Sequence, residues 1–362
     1  MRPVPTKEGR PTLATVAAAA GVSVATVSKV LNGRSDVAPA TRGLVQELLE
    51  QFDYAGRPAD AVRRAVPVTR PTVELVYAGE LNAYSTEVLQ GLLDAGQEMD
   101  VAVVVSMRRH GQRRSGTGRA SAWASELAAA GRRAVITVVD ELTSADLSAL
   151  SRAGLPLVVI DPVNLPHIDV TSVGSTNFTG GLSATQHLLD LGHRRIAYVG
   201  GPATSACNQA RFHGYRAAMD AAGLPVPPEF VRHGDFRHED GLVQGGALLD
   251  LAERPTAVFA GSDETAVGVL EAARARGLLI PTDLSVVGFD DTELARLSSP
   301  ALTTVRQPLQ EMGKVALRTA MRLAADEEVE SHHVELATEL VVRQSTAPAP
   351  AVPVAHLASS RG

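Results

Sequence analysis

Seven short apolar runs punctuate most of this chain: TVELVYA (72–78), VAVVV (101–105), AVITVV (134–139), LVVI (157–160), IAYVGG (196–201), TAVFAG (256–261) and LSVVGF (284–289). Stretches long enough for amphipathic helices separate them. Runs dominated by β-branched and other apolar residues are what strands covered on both faces require, and strands alternating with helices demand parallel crossovers. The array continues to about Val342, too far for one comfortable sheet. It predicts an α/β fold with two parallel sheets in two lobes and a cleft between them.

A chain of 362 residues, 45% apolar and 20% charged, can bury more than one core. No apolar run reaches the ~18 residues that span a bilayer, so no membrane partner is expected. The opening MRPVPTKEGRP lacks the apolar stretch of a signal peptide, which makes the cytoplasm the expected compartment. Cys207 is the sole cysteine and excludes an intrachain disulfide or a multi-thiolate metal site. His233, Asp235, His238, Glu239 and Asp240 cluster in sequence but match no ligand spacing, so no metal is assigned. The basic stretch Arg108 to Arg119 reads as a solvated excursion. With no GxSxG, HExxH, P-loop or GxGxxG pattern, neither catalytic residues nor a cofactor are expected, and the chain does not read as an enzyme.

Charge is split unevenly. Residues 1–70 carry ten Lys/Arg against six Asp/Glu, whereas the remainder carries 24 against 34. A small cationic module joined to a larger acidic one points to a polyanion partner, and nucleic acid is the obvious candidate. Within that module Thr12 to Ala20 reads as an Ala-rich helix, Gly21-Val22-Ser23 as a turn, and Val24 to Leu31 as a second helix with Ser23 as its N-cap. Pro39 suits the first turn of a third helix carrying Leu44, Val45, Leu48, Leu49 and Phe52. Val16, Ala20, Val22, Val27, Val30 and Leu31 would share a core and leave Val24, Ala25, Ser28 and Lys29 outward. That is a helix-turn-helix. The expected divisions are an N-terminal extension (1–10), this head (11–56), an Arg/Pro-rich hinge (57–71), the core (72–346) and a disordered tail (347–362).

The segment TLATVAAAAGVSVATVSKVLNG resembles the opening of the LacI/GalR transcriptional repressors. LGHRRIAYVGG, RFHGYRAAM, AVFAGSDETAVGVLEAARARG, IPTDLSVVGFDD, SPALTTVRQPLQEMG and ELATELVVRQST follow in family order, so the likeness spans roughly Pro11 to Thr346. The resemblance implies a helix-turn-helix head on a core similar to periplasmic sugar-binding proteins. It also implies a homodimer on a palindromic DNA operator, repression of carbohydrate genes, and control by a small-molecule effector, a sugar by preference.

Matched to the family, Val24, Ala25 and Lys29 face the bases. The first two can touch thymine methyls and Lys29 can donate to guanine. Thr12, Ser23, Thr26, Ser28 and Asn32 take phosphate or capping roles. The hinge departs from the family pattern. Arg63 stands where a leucine wedge is usual, so it either reads a narrow minor groove by charge, with Arg57 beside it, or cedes the wedge to Val62. The resemblance places Arg211 as the effector clamp, Asp290 as its acidic partner and Phe236 as a stacking ring. Asn177, Ser262 and Asp263 fall on further cleft loops, with Asn82, Tyr84 and Ser85 from the first lobe. Two rival readings stay open: a solute-binding protein without DNA activity, and a co-repressed regulator answering a nonsugar metabolite.

Overall fold

The computed structural model describes residues 12–31, 37–52, 70–78, 81–108, 117–139, 142–163 and 170–350. They divide into two compact units with the boundary at Thr69 and Arg70. The first unit is the head. Helix α1 (Leu13–Ala20) is capped by Thr12, whose hydroxyl accepts from the Thr15 amide while the Thr15 hydroxyl accepts from the Thr12 amide. Gly21 closes it in the left-handed region at φ 64°, which a glycine adopts without strain. Helix α2 (Val24–Leu31) follows, and α3 (Pro39–Gln51) completes the unit. Val16, Ala17, Val27, Val30 and Val45 form its core, flanked by Leu48, Leu49 and Phe52. Leu44 is exposed, because the buried stripe of α3 runs through Val45, Leu48, Leu49 and Phe52, and Leu44 lies one residue off it.

The second unit holds two six-stranded sheets. Lobe 1 has strands β1 (Thr72–Ala78), β2 (Ala102–Arg108), β3 (Arg132–Val138), β4 (Leu157–Ile160), β5 (Thr171–Ser175) and β11 (His333–Leu336), in the order β11-β5-β4-β3-β1-β2, all parallel. Its helices are α4 (Ala83–Glu98), α5 (Thr117–Ala129), α6 (Ser144–Arg152) and α12 (Leu309–Ala324). Lobe 2 has β6 (Ile196–Gly200), β7 (Val231–His233), β8 (Ala257–Ala260), β9 (Ser285–Asp290), β10 (Thr303–Arg306) and β12 (Glu339–Val341), in the order β12-β10-β9-β8-β6-β7. Its helices are α7 (Asn177–Asp190), α8 (Ala206–Ala221), α9 (His238–Leu249), α10 (Asp263–Ala275) and α11 (Glu293–Leu297). The second sheet is parallel except at β12, which runs against β10. Each lobe has two apolar clusters: around Leu75, Leu92, Ile136 and Leu317 and around Val76, Val135 and Leu150 in lobe 1, and around Val199 and Val286 and around Phe259 and Phe289 in lobe 2.

All seven apolar runs are strands. The other five strands are short and carry Thr, Ser, His or Glu, so their sequence pattern is weak. Burial in the sheet, rather than hydrophobicity, makes Thr171–Ser175 a strand.

The chain passes between the lobes at 175–177, 306–309 and 336–339, and side chains lace these crossings together. Ser175 Oγ donates to Gln307 Oε1 at 2.5 Å, the Thr176 amide donates to the Leu336 carbonyl at 2.9 Å, and the Thr338 amide donates to Thr176 Oγ1 at 2.9 Å. Residues 347–349, expected from their composition to be disordered, are bonded to lobe 2. Ala347 accepts from His193 and donates to Ser285, and the Ala349 amide donates to the Leu191 carbonyl, so backbone bonding holds this stretch on lobe 2 despite its Ala/Pro composition.

Helices α7 and α8 touch backbone to backbone. A Cβ at Gly181 would lie 2.2 Å from the Arg211 carbonyl oxygen, and one at Gly214 would lie 2.2 Å from that of Phe178. The same reciprocal arrangement joins α4 to α12 at Gly91 and Gly313, and α9 to α10 at Gly241 and Gly268. Gly214→Ala is expected to destabilise the core by about 1–3 kcal/mol through overpacking. Gly118→Ala, where an added carbon meets nothing within 4 Å, is expected to be neutral or stabilising by up to about 1 kcal/mol. Urea unfolding of the two variants checks this; equal midpoints would overturn the close-contact assignment.

Candidate DNA-reading face and effector cleft

In the head, Ser23 Oγ accepts from the Thr26 amide at 3.1 Å and lies 2.8 Å from Thr26 Oγ1, which fixes the start of α2. From this start Val24, Ala25 and Lys29 fall on the exposed side, Val24 at 46% exposure, while Val27 and Val30 turn into the core. Thr12, Ser23 and Thr26 are bonded to their neighbours as caps, and Thr26 and Ser28 are half-buried. The helix therefore offers two small apolar groups and one ammonium, a set suited to base edges in a major groove. Asn32, Arg57 and Arg63 lie outside the described residues.

In the core, Arg211 projects from α8 and is only 3% exposed. Its Nε donates to Asn177 Oδ1 at 2.7 Å and its Nη1 to the Gly261 carbonyl at 2.6 Å. Asp290 Oδ1 stands 3.9 Å from Nη1. The guanidinium lies 3.8 Å from the centre of the Phe289 ring and 5.3 Å from that of Phe236. Asn177, Arg211, Phe236 and Asp290 are thus brought together.

Phe236 is held in the left-handed region at φ 64°, unusual for a bulky residue. Ser262 Oγ donates to its carbonyl at 2.8 Å and also caps α10 by accepting from the Thr265 amide. Its ring lies against Gly201 and Gly261, where an added Cβ would come within 2.1 and 2.9 Å of it. Ser262, expected to meet the effector itself, spends its hydroxyl on the backbone that carries the ring. Asp263 is likewise turned inward: Oδ2 accepts from the Thr292 amide and hydroxyl and Oδ1 from Thr304, and burial pushes its carboxyl up to about 7. Asn82 and Ser85 cap α4 reciprocally, so of the three lobe 1 candidates Tyr84 alone bonds to a buried carboxylate at the cleft.

That carboxylate belongs to Asp161, which the sequence reading missed. Tyr84 donates to its Oδ2 at 2.6 Å. Burial raises the Asp161 carboxyl, with Tyr84 and Arg211 pulling it back, and burial raises Asp290 well above the carboxylate range against the pull of Arg211. Both acids close a buried strand, LVVI-Asp161 and VVGF-Asp290, with positive φ of 46° and 118°. An acid directly after an apolar run was the available signal. Gln307 also went unread; its Nε2 donates to Asp290 Oδ1 at 2.7 Å. Cys207 sits one turn before Arg211, and burial raises its thiol. Among the described residues no group of His, Cys, Asp or Glu is arranged to hold a metal ion, and no single helix is long and apolar enough to cross a membrane.

A helix-turn-helix unit and a two-lobed core with polar groups converging on its cleft define a DNA-binding regulator with a ligand-sensing domain. Residues 12–56 match the lacI family of bacterial regulatory proteins and residues 185–346 match the periplasmic binding protein-like domain. The transcriptional regulator CelR of Thermobifida fusca is 36% identical over 93% of this chain and 98% of its own length, and the catabolite control protein A of Priestia megaterium is 31% identical over 92% and 99%. Among solved structures, a CelR–cellobiose complex superposes with a TM-score of 0.69 at 32% identity, covering 93% of this chain and 100% of that one. A lac repressor dimer bound to operator and an anti-inducer gives 0.67 at 26%, covering 94% and 100%. The chain belongs to the LacI family of DNA-binding transcriptional regulators.

Removing Arg211 would leave Asn177 Oδ1 and the Gly261 carbonyl without their donor and Asp290 without the cation that pulls it back from the neutral form, a loss of about 2–6 kcal/mol at ~1–3 kcal/mol for each buried acceptor left unpaired. Arg211→Ala is therefore expected to destabilise the core by about that amount, and Asp290→Asn to relieve part of it in the double variant. A double-mutant cycle by denaturant unfolding measures this. Strict additivity would overturn the pairing.

Proposed function

We propose that this chain is a cytoplasmic, homodimeric repressor that reads a palindromic operator with α2 and releases it when a neutral sugar occupies the interlobe cleft. The observation that carries this reading is the enclosed Arg211 clamp, flanked by Asn177, Asp290 and Phe236, with Asp161 and Tyr84 from the other lobe. A planar donor and carboxylates match paired hydroxyls, and an aromatic ring matches the apolar face of a pyranose. Two acids against one arginine favour a neutral ligand over an anionic one. The cellobiose bound by the CelR relative is of this chemical class. The protein acts by binding rather than turnover, a reading supported by relatives that are named as transcriptional regulators.

On DNA, Val24 and Ala25 meet thymine methyls and Lys29 reaches guanine, while the capped starts of α1 and α2, with Thr12, Ser23, Thr26, Ser28 and Asn32, address phosphates. Arg57 and Arg63 add charge toward the minor groove. The domain plan follows: head 11–56, hinge 57–71, and a core that senses and dimerises. Two heads on one dimer require a two-fold operator.

Two measurements test this. Lys29→Ala is expected to weaken binding to a selected operator about tenfold or more, and to weaken binding to random duplex at the same salt far less. Equal losses would remove Lys29 from base reading. In a thermal-shift panel of neutral mono- and disaccharides including cellobiose, at least one sugar is expected to raise the unfolding temperature and to weaken the operator complex in a mobility-shift assay. Arg211→Ala is expected to retain the operator complex and lose the response. If no sugar acts on the wild-type chain, or the variant responds fully, the effector assignment fails.

A further inference from the structure

Beyond the three crossings, the lobes meet on either side of the clamp. Glu264 Oε1, in the first turn of α10 in lobe 2, accepts from the Ala83 amide of lobe 1 at 3.2 Å. The Ala206 amide, opening α8 in lobe 2, donates to the Val163 carbonyl beyond β4 at 2.8 Å. Ala83 is the first residue of α4, so its amide has no acceptor within its own helix. The local cap does not reach it either: Asn82 Oδ1 takes the Ser85 amide. A carboxylate from the opposite lobe satisfies that donor and also meets the positive end of the α4 dipole.

The neighbours of this contact give it meaning. Tyr84, next to Ala83, holds Asp161, while Ser262, two residues before Glu264, holds the backbone of Phe236. The contact therefore ties together the two turns that carry polar and aromatic walls of the cleft. We propose that Glu264 is an interlobe latch, a positioning residue that sets the population of the closed core by bonding α4 from α10 without touching the ligand. Arg237, His238 and Glu239, at the start of α9, are the other charged groups that face it. A protein that senses by closure responds to anything that binds the closed form better, so a latch of this kind tunes the response without altering the clamp.

The test needs no ligand, so its outcome is independent of the sugar reading. Cys207 is the only thiol in the chain and directly follows Ala206, whose bond to Val163 breaks if the lobes part. Cys207 is partly exposed in this structure, so its alkylation by N-ethylmaleimide in the full-length protein has a closed-state baseline, the wild-type rate, and a rise above that baseline reports opening. E264A is expected to label about five- to tenfold faster than wild type, the effect of losing one charge-assisted hydrogen bond that is partly open to solvent. E264Q, which keeps an acceptor oxygen but not the charge, is expected to show a smaller rise. E271A removes a carboxylate from the same helix, one that bonds His238 within lobe 2, and is expected to label at the wild-type rate. Unchanged labelling of E264A, or an equal rise in E271A, would overturn the latch. So would a rise matched by the same fold-change in the unfolding constant from urea titration, because labelling would then report global unfolding.

Discussion

The core is organised around one buried cation. An arginine at 3% exposure is tolerated only where its donors find acceptors and its charge finds a partner. Here the acceptors come from separate parts of the chain: Asn177 at the start of α7, the Gly261 carbonyl after β8 and Asp290 at the end of β9. The close approach of α7 and α8 supplies the first. One of its two equally close points, Gly181 against the Arg211 carbonyl, lies one helical turn beyond Asn177. The packing of two helices on a sheet and the placement of the clamp are therefore one constraint.

Burial of the clamp shapes the acids around it. Asp290 and Asp161 stand at strand ends in sparsely populated backbone conformations, and both are pushed toward the neutral form by desolvation while Arg211 pulls them back. Such groups exchange hydrogen bonds readily with hydroxyls, which both donate and accept. Phe236 completes the arrangement by a different route. Its conformation is unfavourable in isolation, at a typical cost of about 1–3 kcal/mol, and is held by Ser262 and by two glycines that leave room for the ring.

The architecture was legible in the sequence because it rests on strong periodic signals. Seven apolar runs gave seven strands, and the three helices of the head fell where Ser23, Gly21 and Pro39 marked them. What escaped was whatever tertiary context decides. Thr171–Ser175 is a strand because it lies between β4 and β11, and Leu44 is exposed because α3 packs through Val45. Arg211, Asn177 and Asp290 could be named from the family pattern, yet nothing in the sequence distinguished Ser262 as a support for Phe236 from Ser262 as a ligand contact. The contact that raises the first role is to a carbonyl 26 residues away in the chain, which no local pattern could show. Asp161 was missed for the opposite reason: its signal was present in LVVID, but a single acid after a strand is common.

The crossings connect the clamp to the motion a sensor needs. Gln307 donates to Asp290 through Nε2 and accepts from Ser175 through Oε1, so one amide joins the clamp's acid to two of the three strands that link the lobes. Thr176, next to Ser175, bonds both Leu336 and Thr338 on the third. A ligand hydroxyl that took the place of Gln307 on Asp290 Oδ1 would free an amide whose other end is bonded to Ser175 at the first crossing. Polar crossings suit this role better than apolar ones. Directional bonds have discrete alternative partners, and an element with two discrete arrangements is what lets occupancy of a cleft shift a population rather than merely deform a structure.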